Sequence, residues 1–142
     1  MSEAQTAGRF AVGVPTIDAL HEECEASLSR LAEAIEHSAD AAPELAALHE
    51  HLERHFEHEE SLMEQTDFPP GACHQREHAS VLEVVAEVRR RYAAGEREPA
   101  ARLPSAVLEW FELHARSMDA ALAVWLNAPA EQRGAAQPTA CG

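Results

Sequence analysis

Two short segments, His55-Phe56-Glu57-His58-Glu59 and His74-Gln75-Arg76-Glu77-His78, constrain this chain more than any other stretch. In the first, His55 stands four residues before Glu59, and in the second His74 stands four before His78. Four residues advance an α-helix by about 400°, so each pair shares one face. That face is the apolar one. Leu45, Leu48, Leu52 and Leu62 leave His55 and Glu59 where a 3-4 alternation asks for hydrophobes, and Val81, Val85, Val88 and Tyr92 run back to His78 and His74 in one register. Imidazoles and a carboxylate are thus carried into a core, where an unpaired polar group costs about 1–3 kcal/mol and an isolated charge more. A metal ion satisfies several such groups at once.

Two further segments carry the same seam. Ile17, Cys24, Leu28, Leu31 and Ile35 enclose His21, while Val107, Phe111, Met118, Ala121 and Trp125 enclose His114. Four amphipathic segments joined by short connections predict an all-α, up-down-up-down antiparallel four-helix bundle with an N-terminal arm. The arm is residues 1–15, with Phe10, Val12 and Val14 available to pin it; the bundle is residues 16–127; residues 128–142, rich in Ala, Gly and Pro, read as a disordered tail. Thr16 is the expected N-cap of the first helix, with Asp18 in its first turn. Pro43 suits the first turn of the second, and Thr66-Asp67-Phe68-Pro69-Pro70-Gly71 ends it near Gln65. The third runs from Ala72 to a stop at Gly95, and the fourth is expected to begin at Pro104.

The 142 residues suffice for one domain with a proper core. A net charge of −14, with no Lys at all, argues against nucleic-acid and anionic-membrane partners, which need clustered cations. Cys24, Cys73 and Cys141 form no Cys-x-x-Cys pair, and no stretch approaches the ~18 apolar residues of a membrane span. A soluble, cytoplasmic protein is expected, and a monomer, since no second apolar stripe is evident.

Five seam positions hold His (His21, His55, His74, His78 and His114) and one holds Glu59, spread over all four helices. One shared metal site accounts for them together, whereas separate core histidines would each need a partner of their own. His37, His49 and His58 fall off the seams and read as surface residues; His51, beside Leu52, ranks below His55 as a ligand. Asp119 follows His114 by five residues, which on an ideal helix is about 140° and poor for a shared face. Either the site lies between helices or the fourth helix widens locally into a π-type turn. Five imidazoles and two carboxylates are too many donors for one tetrahedral zinc and too rich in nitrogen for calcium or magnesium. Two first-row metals sharing carboxylates fit better, with iron leading and manganese or zinc as alternatives.

The pattern resembles the hemerythrins, in particular the single-domain bacterial ones, over about residues 12–126. The resemblance rests on Ile17-Asp18-Ala19-Leu20-His21, on His55 through Met63, on His74 through His78, and on His114 followed by Asp119. It implies two iron ions (Fe2+/Fe3+). His74, His78 and His114 would hold one and His21 and His55 the other, with Glu59, Asp119 and an oxo or hydroxo group as bridges. It further implies reversible binding of dioxygen at the less ligated iron, with no catalytic residues. Ile17, Phe56, Leu62, Met63, Trp110 and Phe111 are candidates for an apolar wall. The chain departs from many members at Leu20, where Gln is common, and at Ala120 to Ala123, where aromatics are. A carrier, store or sensor of dioxygen is the first expectation. A di-iron enzyme acting on peroxide or nitric oxide is the alternative, and a signalling role would need a separate protein partner.

Overall fold

The computed structural model describes residues 8–133; the outer parts of the arm and tail, residues 1–7 and 134–142, lie outside them. Three long helices come first: α1 (Pro15–Glu36), α2 (Ala42–Gln65) and α3 (Gly71–Ala93). The fourth rod is built of α4 (Glu98–His114), a π-helical turn (Ala115–Asp119) and α5 (Ala120–Asn127), and one further helical turn, α6 (Ala130–Arg133), follows it. No strand occurs among the described residues. Helix α1 packs on α2 and α4, and α3 packs on the same two, so the rods form an antiparallel up-down-up-down bundle.

The seams lie inside as the spacing demands. Leu28, Leu31, Leu45, Leu48, Leu52, Val81, Val85, Val88, Leu103, Val107 and Phe111 form one buried cluster, and Ile17, Met63, Phe68 and Leu122 form a second. The arm is pinned by Phe10, which is buried and lies 4.6 Å from Phe111 between ring centroids. Val12 and Val14 pack on the second cluster. The backbone N–H groups of Val12 and Gly13 donate to the Asp18 carboxylate at 2.6 and 3.2 Å, tying the arm to the first turn of α1. Gly95 stops α3 with φ +97°, a conformation that side chains disfavour.

Several expectations are corrected. Val14, not Thr16, is the residue before α1, and it makes no side-chain cap; the Thr16 hydroxyl instead meets His58 Nε2 at 2.9 Å. The fourth helix begins at Glu98, with Pro104 inside it. Pro99 occupies the first turn there, and Ala100 and Leu103 are buried, so the stretch before Pro104 contributes to the core. A proline inside a helix costs one backbone hydrogen bond, and burial of these residues offsets it. The π-type widening considered for this rod is present. Its extra residue shifts the register beyond it: Ala121, expected on the seam, is exposed, while Leu122 and Ala123 are buried. Finally, α6 gives helical structure to part of the stretch expected to have none.

Candidate metal centre

Each rod brings its polar residues to the same level of the bundle. Helix α1 supplies His21, α2 supplies His55 and Glu59, α3 supplies His74 and His78, and the fourth rod supplies His114 and Asp119. None of these seven is more than 3% exposed. One turn away along every rod lies an apolar residue: Ile17, Met63 and Leu122 to one side, and Cys24, Leu52, Val81 and Phe111 to the other. The polar layer is therefore sealed between two apolar ones.

The π turn makes the layer complete. Five residues apart on an α-helix, His114 and Asp119 would diverge by about 140°, whereas an i to i+5 turn brings the later residue back over the earlier one. His114 Nε2 and Asp119 Oδ1 are 3.2 Å apart.

All five imidazoles turn Nε2 inward. His55 Nε2 lies 2.9 Å from Glu59 Oε2, and His74 and His78 Nε2 lie 3.2 and 3.1 Å from Glu59 Oε1. His21 Nε2 lies 2.9 Å from Asp119 Oδ2, and His74 Nε2 2.9 Å from Asp119 Oδ1. Two donor sets result, each with its ligand atoms within 4.8 Å of one another: Glu59, His74, His78, His114 and Asp119 in one, His21, His55, Glu59 and Asp119 in the other. Both carboxylates belong to both sets.

These residues fit metal ions better than they fit each other. Asp119 Oδ1 is close to two imidazole nitrogens yet accepts no hydrogen bond of proper geometry, so the three atoms aim at a common point rather than along mutual bonds. His78 Nε2 and His114 Nε2 face each other at 3.2 Å; without metal one ring must donate to the other, and a cation between them would let both keep their inward lone pairs. The donor set, nitrogen and carboxylate without thiolate, suits first-row divalent metals.

The outward nitrogens are partnered in three cases of five. His21 Nδ1 meets the Phe10 carbonyl at 2.8 Å, His78 Nδ1 meets Glu60 Oε2 at 2.9 Å, and His55 Nδ1 meets His51 Nε2 at 3.2 Å. His74 Nδ1 and His114 Nδ1 have no hydrogen-bond partner. Aromatic faces support two of the rings, one partnered and one not: Phe56 stacks on His78 at 3.9 Å and Trp110 on His114 at 4.4 Å between centroids. Phe111 sets its edge against His21 and His55. Of the six wall candidates, Phe56, Trp110 and Phe111 thus touch ligand-position rings, and Ile17, Leu62 and Met63 belong to the second cluster. The spacing missed the carboxylate of Glu60 and the carbonyl of Phe10, for which no local pattern exists. His51 had a signal, its place four before His55, and it is buried rather than peripheral. Among the remaining histidines, His37 is exposed while His49 and His58 are half-buried, His49 meeting Arg89 Nη1 at 2.8 Å.

Electrostatics tie the layer together. Burial alone would lower the imidazoles, but Asp119 and Glu59 push His21 up to about 10 and His74 up to about 9. Burial alone would raise the carboxyls, but the facing imidazoles hold Glu59 and Asp119 well below the usual carboxylate range. Without metal, two imidazolium cations therefore balance two carboxylates. Burial takes His114 down and pushes the Cys24 thiol, which also faces Glu59, up to about 12. Burial, helped by His55 and Arg54, lowers His51 to about 4, so it is neutral at neutral pH.

Residues 12–126 match the model of the hemerythrin HHE cation-binding domain. The chain is 40% identical over 115 residues to the bacteriohemerythrin of Ralstonia nicotianae, covering 81% of this chain and 82% of that one. It is 31% identical over 128 residues to the bacteriohemerythrin of Stenotrophomonas maltophilia, covering 85% and 80%. With the bacteriohemerythrin of Methylococcus capsulatus the identity is 26% over 116 residues, covering 80% and 88%. No solved structure matches the chain.

Proposed function

The chain belongs to the hemerythrin family, and on that premise we propose that it binds dioxygen reversibly at a non-haem di-iron centre, as a carrier, store or sensor rather than an enzyme. The observation that carries this reading is the pair of overlapping buried donor sets that share Glu59 and Asp119. In the proposed assignment His74, His78 and His114 would hold one iron and His21 and His55 the other, with Glu59 and Asp119 available to both. When bound, the iron pair supplies the electrons that dioxygen binding requires.

The protein's own residues do the rest. Three imidazoles on one side and two on the other leave the two-histidine position a ligand short, which is the coordination place a small molecule would take. The apolar layers on both sides exclude water, and a dry surround disfavours escape of charged reduced oxygen species, since these need solvation. His-rich donation also separates this layer from the carboxylate-rich, Glu-x-x-His sites of ferritin-like bundles, which run oxidations.

The test is to load the protein with ferrous iron without air, admit oxygen, and follow the visible spectrum through repeated deoxygenation. Reversible colour over several cycles is expected. Irreversible oxidation accompanied by turnover of peroxide or nitric oxide would instead assign an enzyme.

A further inference from the structure

His51 is buried to 4% exposure and is absent from both the five-residue and the four-residue donor set, lying instead with Cys24 and His55. Its Nε2 lies 3.2 Å from His55 Nδ1, the outward nitrogen of a ring whose Nε2 faces Glu59 at 2.9 Å. On its far side His51 lies against the backbone carbonyl of Leu20, the residue before His21. Glu23 Oε1 stands 3.9 Å from His51 Nδ1, and beyond the ring a cleft of about 280 Å3 opens between α1 and α2.

These contacts allow one proton arrangement. A carbonyl and a carboxylate only accept, so the hydrogen of the His51 ring belongs on Nδ1, on the side of Leu20 and Glu23, and Nε2 keeps its lone pair toward His55. His55 then donates from Nδ1 to His51, which leaves His55 Nε2 free of hydrogen and directed into the polar layer. The alternative, with His51 Nε2 as donor, would put the lone pair of His55 outward and a hydrogen where the layer needs a donor atom for metal. His51 therefore sets the ring state of one histidine and, through Leu20, holds the backbone from which the other projects. Those two, His21 and His55, are the only imidazoles of the four-residue donor set.

We propose that His51 is a positioning residue that sets the affinity of the two-histidine metal position, by clamping His55 and the α1 backbone beside His21 in their metal-binding arrangement. The inference rests on the di-iron reading given above. His74 and His114, on the three-histidine side, have no partner at Nδ1. The clamp thus acts on one position and not the other. That side selectivity separates the role from a general contribution to folding.

The experiment is anaerobic competition between the ferrous-loaded protein and a chromogenic ferrous chelator, with circular dichroism of each variant beside it. In His51→Leu, one of the two irons should leave at about 10–100-fold lower chelator concentration, the usual cost of losing a partner of a ligand histidine, while the other stays as in the parent protein. His51→Gln, which keeps an acceptor and a donor at similar reach, should restore the second iron to near the parent affinity. His51→Asn is too short to reach His55 and should behave like Leu, which keeps the test decisive if the Leu variant does not fold. Retention of both irons by His51→Leu and His51→Asn, equal weakening of both irons, or no rescue by Gln overturns the inference. A parent protein that takes up no iron overturns the di-iron reading and the inference together.

Discussion

Glu59 faces four imidazoles and Asp119 three, so each carboxylate is kept ionised by its neighbours and two of those neighbours are kept protonated in return. The pH dependence follows from these directions. His21 and His74 have raised values, so their contribution to the stability of the metal-free protein is complete below the ordinary imidazole value of about 6.5 and is lost as pH rises through about 9 to 10. Glu59 and Asp119 have depressed values, so theirs is complete above the ordinary carboxyl value of about 4 and is lost as pH falls below it. His51 and His114 have lowered values, so theirs is lost as pH falls below about 6.5, and the metal-free protein should therefore melt highest near pH 6.5. A metal must displace the protons on His21 and His74, so the loaded protein should gain on the metal-free one as pH rises. Melting curves of both forms from pH 5 to 10 check this; parallel curves would mean that these imidazoles do not bind the metal. The ligand-type residues were legible in the sequence because burying His and Glu on an apolar seam violates ordinary patterning. Their outer partners were not, since a backbone carbonyl from the arm and a carboxylate from a neighbouring helix leave no periodic trace.

The helices themselves were legible from apolar spacing, except in the fourth rod. There Pro104 reads as a natural start, yet Pro99 takes that place and the chain buries Ala100 and Leu103 before reaching Pro104. Local propensity lost to tertiary burial. The π turn was visible only as a misfit, the five-residue gap between His114 and Asp119, and its consequence downstream was not visible at all. Because the turn inserts one residue, a single deletion at Ser117, whose side chain is exposed, should restore a continuous α-helix. The variant then sets Asp119 four residues after His114, on the same face, and keeps Leu122 on the seam, so it is expected to retain its helical circular dichroism and its bound metal. Inserting one alanine after Ser117 instead sets Asp119 six residues after His114, about 120° from its face on an α-helix, and should cost the bound metal and lower the melting temperature. An insertion variant that still holds metal as tightly as the parent would show that the register of this turn does not place Asp119.

At the scale of the molecule, four rods enclose a polar layer whose composition makes little sense as a core by itself. Seven polar side chains are buried where hydrophobes would pack, and their inner atoms gather into two overlapping donor sets, with Asp119 Oδ1 left without a hydrogen bond. No helix among the described residues is long and apolar enough to cross a membrane. The acidic balance, with no Lys in the chain, is expressed on the surface as Arg–Glu pairs such as Arg9 with Glu25 and Arg116 with Glu112, whose exposed positions make each a minor contributor to stability. The bundle is thus held by its apolar seams, and the layer between the two clusters gathers donors able to hold metal. The most direct test is metal analysis of the desalted protein after anaerobic loading with ferrous iron, run beside Glu59→Gln and Asp119→Asn. About two irons per parent chain and a clear loss in both variants are predicted, because each carboxylate belongs to both donor sets. No specific uptake by the parent, or uptake unchanged by either substitution, would contradict the account.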